Sequence, residues 1–215
     1  MKSTTAITTY SPAEEKLNVR SHAVGILFAV VAIVLLMLRA ASIGDVWHWV
    51  AYTIYGVSIF TVFLASTLYH NSKKNTQRLR LKVFDHAAIY LSIAGTYTPF
   101  TLITLRGGWG WTIFGIVWGI AIAGIVLKIF FAGRYRLLST IGYVAMGWIV
   151  VIAIKPLINN LPFAGLMWLA AGGFLYTSGA VIYQIKRIPF NHAIFHFFVL
   201  GAAVCHFIAV YFYTS

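Results

Sequence analysis

Seven apolar runs, each about as long as a lipid bilayer is thick, constrain this chain more than any other feature. They lie at about 22–43, 47–70, 84–105, 109–131, 137–158, 163–184 and 192–213. A membrane-spanning helix needs about 20 mostly apolar residues. In hydrocarbon each backbone N–H and C=O must be satisfied within the protein, so runs of this length are read as helices. The connecting stretches leave no room for a further domain. The expected fold is all-α: one seven-helix transmembrane bundle over 22–213, preceded by a polar segment at 1–21. A soluble domain carries roughly a quarter charged residues; here the fraction is 9%, against 60% hydrophobic.

The net charge of +12 could suggest a nucleic-acid partner, but the basic residues fall between apolar runs rather than on one soluble face. Nucleic acid is therefore not expected, and the pattern is that of membrane topology. If the N-terminus is cytoplasmic, that side receives Lys2, Lys16, Arg20, Lys73, Lys74, Arg78, Arg80, Lys82, Lys128, Arg134, Arg136, Lys186 and Arg187. The opposite side receives only Arg39, Arg106 and Lys155. Thirteen against three sets the N-terminus inside and the C-terminus outside. Trp47, Trp49, Trp109 and Trp111 then meet the outer interface, where indole rings concentrate. The polar N-terminal stretch lacks the apolar core and cleavage site of a signal peptide, so an uncleaved anchor is expected. A single cysteine, Cys205, excludes an intramolecular disulfide and is read as packing.

Polar residues within the spans converge at one depth. His70 closes the second run, Asp85 opens the third, His192 and His196 open the seventh, and Asn18 and His22 mark the entry of the first. Ionisable groups in a membrane are costly and tend to face the bundle interior, where they act. His192 and His196, four residues apart, share a helix face and can present two imidazoles to one point. Ser66 stands on the His70 side by the same spacing. Three histidines with an open fourth position make a catalytic zinc site, and Asp85 supplies the nearby negative charge. A histidine pair that only hydrogen-bonds its neighbours is the competing reading. His86 is expected to point away from this centre and His48 to be solvated at the outer surface. His206, about 15 Å of helix beyond His196, is expected to be a hydrogen-bonded core residue. Pro99 is expected to bend the third helix, and Gly95 to allow close packing.

The segments "EKLNVRSH", "STLYH", "FDHAAIYLSIAGTYTPF" and "NHAIFHFFVLGAAVCHF" resemble the hemolysin III branch of the progestin and adipoQ receptor family. That family includes the adiponectin receptors and is grouped with the alkaline ceramidases. The resemblance covers about residues 14–213. It implies seven helices around a zinc held near the cytoplasmic face by His70, His192 and His196. Asp85 would stand beside the metal through a water, Ser66 nearby, and Glu15, Asn18 and His22 would support the site from the first helix. The long extramembrane N-terminal region of the eukaryotic receptors has no counterpart, which points to a bacterial cell membrane.

The expected activity is zinc-dependent hydrolysis of a lipid amide or ester at the inner leaflet, with membrane lipids as substrate or ligand. Asp85 would act as base, and Ser66 would orient water or carbonyl. The rival expectations are a lipid-state sensor with structural zinc and a pore or ion-conducting protein. Oligomeric state is left open.

Overall fold

The structure, a computed structural model, describes residues 10–131 and 134–214; Lys2, Ser215 and the rest of the 1–9 stretch lie outside them. Among the described residues every element is helical. In chain order these are α1 (Pro12–Ile43), α2 (Val46–Asn71), α3 (Asn75–Pro99), α4 (Gly108–Phe131), α5 (Arg136–Gly147), α6 (Ile154–Asn160), α7 (Phe163–Gln184) and α8 (Asn191–Tyr213). A π-helical turn, Phe100–Thr104, extends α3, and a 3₁₀ stretch, Trp148–Ala153, joins α5 to α6. The run expected at 137–158 is thus one broken helical element.

Two helices start earlier than the apolar runs. Ser11 caps α1 by accepting from the Glu14 backbone N–H at 3.2 Å, and Pro12 occupies the first turn. Both favour a helix start, because the first turn has unsatisfied N–H groups and needs none from proline. Polar residues 12–21 are therefore the helical foot of the first run. Likewise α3 begins at Asn75, so most of the basic 71–82 stretch is helix rather than loop. Gly44 ends α1 at φ 75°, a left-handed conformation that glycine adopts without strain.

Six helical stretches are long and apolar enough to cross a membrane: α1, α2, α4, residues 137–160, α7 and α8. The third, α3, falls outside that set because it carries a basic start, Asp85 and the hydroxyls of Ser92, Thr96 and Thr98. It is nonetheless central. α1 packs on α2 and α8, α2 on α3, α7 on α8, and α5 touches both α3 and α7, closing a ring, with α4 against α3. Gly95 of α3 has no room for a Cβ, which would overlap Ser58 of α2. Pro99, expected to bend the third helix, stands where regular α-helix gives way to the π turn. At the far end of the bundle the Tyr52 hydroxyl donates to the Thr214 carbonyl at 2.7 Å, holding the end of α8 against α2.

Candidate metal centre

The ends of α1, α2, α3 and α8 meet at one end of the ring. α2 brings His70 there in its last turn, and α8 brings His192 and His196 in its first two. All three rings are buried. His192 Nε2 lies 3.0 Å from His70 Nε2 and 3.1 Å from His196 Nε2. The ligand atoms of the three residues lie within 4.8 Å of one another.

The opposite ring nitrogens show why those Nε2 atoms suit a cation. His70 Nδ1 lies 2.6 Å from Glu15 Oε2. A carboxylate can only accept, so Nδ1 carries the hydrogen and Nε2 presents a lone pair. His196 Nδ1 donates to the Asn18 carbonyl at 3.4 Å and lies 3.3 Å from Ser21 Oγ, with the same consequence. These lone pairs turn toward one point, an arrangement compatible with a metal ion held between the rings. Nitrogens sharing a tetrahedral zinc stand roughly 3.3 Å apart, close to the spacing found. Partners on the far nitrogens are how proteins orient imidazole ligands.

The polar foot of α1 supplies most of that support. Glu15 also pairs with Arg78 at the start of α3. The Asn18 carboxamide lies 3.4 Å from His70 Nδ1. Glu14 accepts from the His192 backbone N–H at 3.3 Å, fixing α1 to the start of α8. Tyr10 stacks on the His192 ring, centroids 4.7 Å apart. Asn191 donates to the Tyr183 carbonyl at 2.8 Å and pins the turn before His192; its neighbour Phe190 sits at φ 56°. His22 packs on the His196 ring, centroids 3.8 Å apart. Neither of its ring nitrogens has a hydrogen-bond partner among the described residues. A buried polar side chain left so, beside three converging imidazoles, fits a centre that holds something further.

Asp85 is partly buried, and Ser66 donates to its carboxylate. Asp85, Ser66, His22, His192 and His196 line one end of a cavity of about 560 Å³, within the range of roughly 300–1,000 Å³ usual for small-molecule sites. Apolar residues line its body as far as Leu157, Phe163 and Met167. The residues expected at the site are thus brought together at the cavity's end, with Glu15 and Asn18 behind the histidines.

Two expectations are corrected. His86 does not point away: it lines the same cavity, and its carbonyl accepts from the Tyr143 hydroxyl at 3.0 Å. His48 is not solvated. It is 6% exposed, folded back in the first turn of α2 onto Asp45 at 3.0 Å and against the Tyr52 ring. That contact holds the Asp45 carboxyl below the usual carboxylate range. His206 behaves as expected, donating from Nε2 to the Leu169 carbonyl at 3.1 Å. Glu14, Ser21, Arg78, Tyr10 and Asn191 were not expected at the site; the capping pattern of Ser11, Pro12 and Glu14 is the signal that could have shown the helical foot of α1.

A family model described as haemolysin-III related matches residues 10–207. The chain is 46% identical over 201 residues to "Hemolysin-3" of Bacillus cereus, covering 94% of this chain and 92% of that one. It is 47% identical over 200 residues to "Hemolysin-3 homolog" of Bacillus subtilis (strain 168), covering 93% and 94%. A more distant relative is the "Monocyte to macrophage differentiation factor" of Homo sapiens, 29% identical over 212 residues, 95% of this chain and 87% of that one.

Proposed function

Because this chain belongs to the haemolysin-III-related family and is a multi-pass protein of the bacterial cell membrane, we propose that it is a zinc-dependent hydrolase of a lipid amide or ester. The carrying observation is the convergence of three buried imidazoles, two of which, His192 and His196, line the end of an apolar cavity that also presents Asp85. In this reading seven helices cross the membrane, α3 among them, with the N-terminus and the metal centre at the cytoplasmic face. The basic-residue asymmetry supports that orientation.

His70, His192 and His196 would hold the zinc, which when bound supplies Lewis acidity toward a water or a carbonyl oxygen. Glu15 and Asn18 keep the first and last of these rings in the ligating tautomer. Asp85 accepts the proton of the attacking water and returns it to the departing amine or alcohol. Ser66 donates to Asp85 and holds the accepting oxygen in place. The apolar cavity body takes the acyl chain and keeps bulk water from the reacting bond. The products are a carboxylic acid and an amine or alcohol. A structural zinc of the kind a sensor would use is normally closed by a fourth protein ligand; among the described residues the convergent group has three members. Lysis, which the relatives' names suggest, is the rival that the same experiment separates.

The test uses full-length protein purified without chelators and incubated with total bacterial membrane lipids. It should contain about one zinc per chain, the content of a single three-histidine site, and should release free acid. Alanine at any of the three histidines should remove the metal, whereas Asp85→Asn should keep it and lose acid release. Zinc-free wild type, or acid release unaffected by Asp85→Asn, overturns the reading. Leakage from vesicles without acid release would favour the lytic one.

A further inference from the structure

Lys128 stands in the last turn of α4, 6% exposed, and lines the same cavity as the metal centre. Its ammonium donates to the Ser139 hydroxyl of α5 and sits 5.7 Å from the centroid of the Tyr143 ring. Among the described residues no carboxylate lies within ion-pair distance of it. The chain has four acidic residues in all, and each is engaged elsewhere: Glu14 with His192, Glu15 with His70 and Arg78, Asp45 with His48, Asp85 with Ser66. Lysines at the ends of spanning helices normally extend their amines into water. This one turns into the bundle, where an ammonium without a counter-charge is expensive.

The compensating anion can enter with whatever fills the cavity. An ammonium on a flexible stem is a good point-charge partner for phosphate, and Ser139 takes only one of its N–H donors. The position fits as well. The end of α4 lies at the cytoplasmic headgroup level in the proposed orientation, and that leaflet carries anionic phospholipids. Tyr143 links this corner to the reacting centre, since its ring faces Lys128 and its hydroxyl reaches the His86 carbonyl, one residue from Asp85. A headgroup held at Lys128 leaves its acyl chain to the apolar body and its linkage near Asp85.

We propose that Lys128 and Ser139 form a phosphate-headgroup subsite, so that the lipid this cavity selects is a phospholipid rather than a neutral acyl lipid. The proposal names the substrate class for the hydrolysis above and rests on that reading for its purpose, but not for the binding itself. The experiment titrates full-length, metal-loaded protein in detergent with dioctanoyl phosphatidic acid, dioctanoylglycerol or inorganic phosphate, and measures Kd calorimetrically. Wild type should bind phosphatidic acid about tenfold or more tighter than dioctanoylglycerol, as a charge-assisted hydrogen bond allows. Lys128→Gln should abolish that preference and keep its zinc, and Lys128→Arg should retain the preference. Lys74→Gln, which removes an exposed charge at the same end, should also retain it. His192→Ala, metal-free, should still prefer phosphatidic acid, so failure of the metal centre and failure of the subsite are distinguishable. Equal binding of the two lipids by wild type overturns the proposal whether or not Lys128→Gln folds. So does a preference that survives Lys128→Gln, or inorganic phosphate binding as tightly as the phospholipid.

Discussion

Glu15 touches no cavity wall, yet two structural pairings depend on its carboxylate: one oxygen accepts from His70 Nδ1 and the other from Arg78. Removing its charge leaves all three proposed ligands in place but loosens the ring that α2 contributes. Glu15→Gln should weaken zinc binding about 10- to 100-fold, the usual cost of losing a partner behind a metal-bound histidine. Competition against a chelator of known affinity measures this; an unchanged affinity would show that the carboxylate does not orient His70. At this scale the three convergent histidines were legible, because His192 and His196 repeat at one helical turn and His70 lies at the same depth. The partners behind them were not. Glu14 and His192 are separated by 178 positions, and no periodicity announces a contact between helix ends so far apart. His48 was misread for a related reason: its partner Asp45 is close in sequence, but only the turn geometry shows that the ring folds inward.

The helices themselves were largely visible as apolar runs, and α7 and α8 begin and end within a residue of the expected limits. The polar starts of α1 and α3 were not visible, since hydrophobicity carries no signal there; the cap formed by Ser11 and Pro12 is a local pattern that an apolar-run reading passes over. The interruption at 148–153 was equally silent, because 3₁₀ and α-helix bury the same kind of side chain. The α2–α3 contact gives this scale its prediction. Gly95→Ala places a methyl group where Ser58 stands, and overpacking of this kind costs about 1–3 kcal/mol. Thermal unfolding in detergent should show the loss, and Ser58→Gly in the Gly95→Ala background should recover much of it as a coupled pair. Additive single effects would mean that the two helices do not meet through these residues.

For the molecule as a whole, the decisive quantity is the direction in which the bundle sits. A reporter inserted at Ser72–Lys74, in the short connection before α3, should be cytoplasmic, and one fused after Ser215 should be outside. If both were reversed, the metal centre and the Lys128 corner would move to the outer leaflet, and the lipids available to them would change. The far end of the bundle bears on how such fusions should be built. Thr214 is fully buried, and its carbonyl and hydroxyl both meet the Tyr52 hydroxyl, at 2.7 and 3.1 Å. A fusion partner joined directly at that end would pull on this latch and pry α8 from α2. Because α8 carries two of the three histidines at its other end, a rigid purification handle there would disturb the histidine cluster from the far end of the helix. A flexible spacer between Ser215 and any handle is the practical remedy.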